Sequence, residues 1–206
     1  MIQSYYTTNQ GKITHDIDFT HAEWLHLSDP TDDEIDKIVH HFGFPRDYLT
    51  GVLDPDEVSR YENLEMEERE SSSLAMFLYP LKVTNGLSDS EYVTRPLAVI
   101  LTAHTIITAT VQTPDFISNM ITNKPNYPSD SSDQERFLLD IAWHISSDYS
   151  FYLKEINSKI ERLEDNLTKT TNNRQLFSLM ALQKSLVYFD SAIESNHPIF
   201  KHLKNI

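Results

Sequence analysis

The sequence contains no cysteine. That absence excludes a disulfide scaffold, thiol catalysis and thiolate metal sites together, and it suits a reducing compartment. Glycine is nearly as scarce. The four glycines stand at positions 11, 43, 51 and 86, too dispersed for a Gly-rich phosphate loop. No G-x-S-x-G occurs, so a hydrolase elbow is absent. No cationic, then apolar, then small-residue signal opens the chain, which argues against secretion. The most apolar uncharged stretch, residues 96–111 (PLAVILTAHTIITATV), falls short of the roughly 20 apolar residues a spanning helix needs. Its Val, Ile and Thr content, interrupted by Thr102-Ala103-His104, predicts two buried strands joined by a tight turn. The chain is expected to be soluble.

Positive charge is also in short supply. Seventeen Lys and Arg face 31 Asp and Glu, a formal net charge of −14. Such a balance disfavours nucleic acid and anionic membrane surfaces as partners, and it is hospitable to cations. What the chain does have is core material. With 206 residues, 39% hydrophobic and 11% aromatic, it can bury one sizeable domain.

Residues 2–7 and 12–15 read as a short hairpin turning through Asn9-Gln10-Gly11. Residues 23–28 (EWLHLS) alternate as a half-buried strand, with Trp24 a core anchor. Thr31 stands three residues before Glu34, the capping-box spacing, and Asp32 and Asp33 suit the positive end of a helix dipole. Ile35, Ile38, Val39 and Phe42 form that helix's buried face, and Gly43 ends it. Residues 45–53 predict a second short helix, and Asp54-Pro-Asp-Glu57 a turn. Strands follow at 60–66, 72–83, 92–101 and 106–112, with Asn85-Gly86 turning the middle pair. A short helix is expected at 115–123, then a Pro- and Ser-containing loop at 124–132.

From Asp133 the period changes. Leu138, Ile141, Ile145, Tyr152, Ile156, Ile160, Leu163 and Leu167 recur at helical spacing, giving a helix roughly 50 Å long at about 1.5 Å per residue. After a turn at 168–172, Leu179, Leu182, Leu186, Phe189 and Ile193 mark the face of a returning helix. The two make a long antiparallel hairpin. Pro198 lacks an amide donor and disfavours helix at His197, so a break is expected at Asn196-His197 and a fresh helix at Pro198. Ile199, Phe200 and Leu203 are then expected to be exposed or covered by a neighbour. The segments are 1–132 (α/β sheet portion), 133–197 (helical hairpin) and 198–206 (start of a further, stalk-like segment). The fold expected is α+β, an α/β/α sandwich. Its mixed, largely antiparallel sheet lies between short N-terminal helices and the long hairpin.

The nine histidines are scattered. Adjacent His40-His41 point apart on a helix, and His21 and His26 fall on opposite faces of a strand pattern, so they read as surface or boundary residues. No spacing selects a catalytic carboxylate pair, and no enzyme is expected. Among three acidic clusters, Asp29/Asp32/Asp33/Asp36 is explained by helix capping, and Glu62/Glu65/Glu67/Glu68/Glu70 reads as a solvated edge. Asp54, Asp56 and Glu57 surround a rigid Pro55 turn. They read either as hard oxygen donors for a divalent cation or as a helix-stop turn pairing with Arg60.

Several motifs in order carry a resemblance. They are Trp24-Leu-His-Leu-Ser before a Pro-Thr-x-x-Glu helix, Phe42-Gly-Phe-Pro after it, and Leu53-Asp-Pro-Asp-Glu-Val-Ser-Arg-Tyr-Glu62. Ile-Ile-Thr-Ala-Thr ending at Thr110 and Lys184-Ser-Leu-Val-Tyr-Phe-Asp-Ser-Ala-Ile-Glu-Ser-Asn196 follow. Together they resemble the cytosolic part of the CorA family of Mg2+/Co2+ channels over nearly the whole chain. The resemblance implies a cytoplasmic regulatory domain, at the inner face of the cell membrane, of a homo-pentameric transporter. Its stalk and two membrane helices would follow Ile206. It implies Mg2+, Co2+ or another divalent cation as transported or regulatory ion, bound between subunits. The family's regulatory acidic pair matches Thr50-Gly51 here, which leaves Asp54, Asp56 and Glu57 as the candidate residues. By itself the fragment is expected to be a monomer or weak dimer. The alternatives are a zinc-transporting relative with the same fold and a free-standing soluble protein that binds a partner through the hairpin.

Overall fold

The computed structural model describes residues 1–5, 22–64, 71–83, 89–123, 131–167 and 173–204. The elements in chain order are β1 (Ile2–Tyr5), β2 (Trp24–Ser28), α1 (Asp32–Phe42), α2 (Asp47–Thr50) running into a 3-10 turn (Gly51–Leu53), and β3 (Arg60–Leu64). Then come β4 (Ser72–Lys82), β5 (Tyr92–Leu101), β6 (Ile106–Thr110), α3 (Asp115–Asn123), α4 (Ser131–Leu167) and α5 (Asn173–Leu203). The strands form one sheet in the order β1-β2-β6-β5-β4-β3, in which β2 and β6 are parallel and every other pair is antiparallel. The strand expected to turn back on β1, the Asn85-Gly86 turn, most of the 124–132 loop and the 168–172 turn lie outside the described residues. β1 itself pairs with β2.

Strand alternation sorts side chains onto two faces. Leu25, Leu27, Leu74, Met76, Ala98, Ile100 and Ile107 pack under α1 and α2 with Ile35, Ile38, Tyr48 and Leu49. Trp24, Phe77, Tyr79, Leu97, Val99 and Ile106 pack under α3, α4 and α5. The result is the expected α/β/α sandwich. α1 starts as the sequence requires: the Thr31 hydroxyl accepts from the Glu34 amide, the Glu34 carboxylate accepts from the Thr31 amide, and Gly43 closes the helix at φ 80°. Of the long α4 face, Leu138, Ile141, Ile145 and Ile156 are buried, and Tyr152, Ile160 and Leu163 are partly so.

Helix α5 departs from expectation in two ways. First, its buried residues are Leu182, Ser185, Phe189, Ala192, Asn196, Ile199 and Leu203, still advancing by alternate threes and fours. Leu186 is only partly buried and Ile193 is 40% exposed. The seam is rotated so that small and polar residues meet the sheet. Second, the helix does not break at Asn196-His197. It runs through Pro198 to Leu203. Pro198 and Glu194 both lie on the solvent side, so water can bond the Glu194 carbonyl that the proline leaves without a donor. The proline costs about 3 kcal/mol inside a helix, while burying Ile199 and Leu203 returns about 1.5–3 kcal/mol each. Ile199 and Leu203 are therefore core residues of this chain, and Phe200 packs on Phe77 with ring centroids 6.0 Å apart.

Candidate functional site

The turn 54–57 is held from below. Tyr48, Leu49 and Val52 are buried under the sheet, so α2 and the 3-10 turn deliver the following residues to one place on the surface. The Asp54 amide donates to the Gly51 carbonyl, and the Asp54 carboxylate accepts from the Asp56 amide at 2.9 Å. Asp54 and Asp56 are exposed. Glu57 turns inward instead. Its Oε1 accepts from the Val58 amide at 2.9 Å and pairs with Arg60 Nη1 at 2.7 Å.

Arg60 is the hub of this edge. Its Nε reaches Glu62 at 2.6 Å, and its Nη2 lies 3.7 Å from the Asp47 carboxylate. Burial opposes its charge, but the hydrogen bonds and charges of Glu57 and Glu62 outweigh burial and raise its pKa. Gly51 is explained by the same arrangement. A Cβ there would stand 2.5 Å from Glu57 Oε2 and 2.8 Å from Met76 Cε. The Glu57 carboxylate occupies the space a side chain at 51 would need. Thus the three candidate residues divide: Asp54 and Asp56 face solvent, and Glu57 makes the ion pair with Arg60. Among the described residues no three His, Asp or Glu side chains converge as a metal site.

Beside the turn opens a cavity of about 570 Å³, lined by Asp56, Glu57, Arg95 and the α5 residues Tyr188, Ser191 and Ser195. Its floor lies where, among the described residues, the outer edge of β4 lacks a strand partner. β3 begins opposite Met76, so from Phe77 onward the outer edge of β4 is open. Leu78 pairs with Pro96, which has no N–H, so the polar groups of Leu78 point outward to that open edge. Asn196 fills it. Its Oδ1 accepts from the Leu78 amide at 2.9 Å, and its Nδ2 donates to the Leu78 carbonyl at 2.7 Å. The Tyr149 hydroxyl donates to the same carbonyl at 3.0 Å. Ser59, two residues after Glu57, joins in: its amide donates to Ser195 Oγ at 2.9 Å and its hydroxyl to Asn196 Oδ1 at 2.6 Å. The apolar repeat did not reveal these residues, although Asn196 stands seven residues after Phe189 and shares its face.

The acidic group near α1 is partly used in pairing: Arg46 bonds both Asp32 and Asp36. Of the second cluster only Glu62 is described. His26 is not a surface or boundary residue, because β2 lies inside the sheet between β1 and β6. Its Nδ1 meets Thr108 Oγ1 and its Nε2 meets Thr113 Oγ1, both at 2.9 Å.

A protein-family model described as CorA-like Mg2+ transporter protein matches residues 20–205. The chain belongs to the CorA family. A cobalt/magnesium transport protein CorA of Methanocaldococcus jannaschii is 27% identical over 186 residues, which are 88% of this chain and 55% of that protein. The complete structure of the CorA magnesium transporter from the same organism superposes with a TM-score of 0.77 at 21% identity, over 100% of this chain and 63% of that one. The ZntB cytoplasmic domain of Vibrio parahaemolyticus superposes with a TM-score of 0.66 at 13% identity, over 98% and 78%. The chain therefore has the fold of CorA proteins and spans about half the length of the curated relative. Among the described residues no helix is long and apolar enough to cross a membrane.

Proposed function

We propose that this chain is the cytoplasmic, divalent-cation-sensing part of a CorA-like transporter of Mg2+ or Co2+, and that it is not an enzyme. The family match over residues 20–205 carries the reading. The acidic balance and the exposed carboxylates of Asp54 and Asp56 support it. Mg2+ keeps several of its waters and takes one or two carboxylates from a protein, so an exposed pair on a rigid Pro55 turn suits it. Glu57 joins them only by leaving Arg60. Assembly as a homo-pentamer lets the ion bridge this turn to a neighbouring chain. There it would offset repulsion between acidic subunits and hold the transporter closed, and loss of the ion would loosen the ring.

The test is a thermal-stability and light-scattering titration with Mg2+ and Co2+ against NaCl of matched ionic strength. A cation-specific shift that Asp54→Asn/Asp56→Asn abolishes supports the site. A shift unchanged by the double substitution removes these residues from it, and no shift in either the fragment or the intact transporter removes the sensing role. The likeness to the ZntB domain favours a second reading in which Zn2+ is the ion. Transport assays of the intact protein with Mg2+, Co2+ and Zn2+ separate the two.

A further inference from the structure

We propose that Ser59, Ser195, Asn196 and Leu78 form a mechanical joint through which the turn 54–57 and the end of α5 beyond Pro198 move together. The sensing role of the turn rests on the reading above; the joint itself rests on geometry alone. Three separate segments meet in it, and each contact crosses a long stretch of chain: Ser59 to Asn196 spans 137 residues and Leu78 to Asn196 spans 118. Asn196 is fully buried and spends both ends of its amide on the open edge of β4. Its Oδ1 also takes the Ser59 hydroxyl, so the side chain cannot rotate without stranding a buried amide and releasing the turn. Position 196 of α5 is thereby fixed to the sheet at a point, while Ser59 lies only two residues from Glu57.

What lies on the far side of this point gives the joint a use. Pro198 follows two residues later and removes the helix bond to Glu194, so resistance to bending is lowest in the turn 194–198 that carries the clamp. The segment 199–203 is held instead by side-chain packing of Ile199 and Leu203 on the sheet and of Phe200 on Phe77. A displacement of residues 54–59 pulls on Ser195 and Asn196 and is released as bending at Pro198. The N-terminal part of α5 is tied elsewhere, with Ser185 Oγ accepting from the Tyr92 amide at 3.0 Å, and stays in place.

Hydrogen exchange read by mass spectrometry at peptide resolution tests this. Ser59→Ala, a partly exposed loop position, is expected to raise exchange in residues 192–203 about five-fold or more while residues 176–189 stay unchanged. Ser195→Ala is expected to raise exchange in residues 54–60 reciprocally. Pro198→Ala restores the bond to Glu194, so it is expected to slow exchange in 198–203 and to shrink the Ser59→Ala effect there. Changes confined to the substituted segment, or spread evenly along α5, overturn the joint. Added Mg2+ separates this proposal from the site reading. Protection at 54–59 that fails to reach 192–203 overturns the joint, whereas no protection at 54–59 counts against the cation site and leaves the substitutions to decide the joint.

Discussion

The side-chain amide of Asn196 grips the backbone of Leu78 as a neighbouring strand would, giving an acceptor to its N–H and a donor to its carbonyl. One residue of a helix thus closes the gap left because β3 begins only opposite Met76. Asn196→Ala strands the Leu78 amide in a buried place, although Tyr149 still serves the carbonyl. The expected loss is about 3 kcal/mol in urea unfolding, and a loss within measurement error would show that water replaces the amide freely.

Gly51 makes a second such relationship with Glu57. Its helical φ of −55° means that alanine is tolerated by the backbone, and alone it would gain about 0.4–1 kcal/mol. The Glu57 carboxylate must move to admit the methyl group, and Arg60 holds it in place. Gly51→Ala is therefore expected to destabilise by about 1 kcal/mol. In a Glu57→Ala background only the flexible end of Met76 must still yield, so the same substitution should cost less, and a double-mutant cycle checks the coupling.

Burial, with a smaller contribution from the charge of the amino terminus, lowers the pKa of His26 to about 4 from an ordinary 6.5. Between those values the unfolded chain binds a proton that the folded chain refuses. Stability should fall as pH drops below about 6.5 and level off below about 4, a total of about 3 kcal/mol from this residue. His26→Gln should lose this component in unfolding measured across the window, and an NMR titration midpoint near 6.5 would contradict it.

Asp148 works in the opposite sense. Burial, and then the charge of Asp115, raises its pKa to about 6 from 3.8. The folded chain here holds a proton that the unfolded chain releases, so stability is lost as pH rises from about 4 through 6. Discounted for solvent screening, Asp148→Asn should stabilise the protein by about 1 kcal/mol at pH 7 and by little at pH 4. Because both residues titrate across one pH window with opposite signs, the larger His26 contribution sets the net slope and Asp148 only reduces it.

The candidate turn was half legible. Asp54-Pro-Asp-Glu marks a turn in any context, and the offset of Glu57 from Arg60 allows their pair. The Gly51 contact was not legible, since it depends on Met76 of a strand that pairs beside the turn. His26 was misplaced for a similar reason: alternation along β2 puts it on the face of Trp24, but the packing of α3 and α4 over that face is what buries it.

The sequence by itself determined the order of the elements, the cap and stop of α1, the strands on both sides of residues 102–105 and the helical period of the hairpin. Each follows from local stereochemistry or from a repeat within one segment. Tertiary structure decided which side of α5 faces inward and where that helix ends. Ser185 and Asn196 turn to the sheet because the Tyr92 amide and the Leu78 backbone need partners there, and a leucine cannot provide one. The helix passes Pro198 because the local cost is smaller than the gain from burying Ile199 and Leu203, residues whose partners lie far away in the chain.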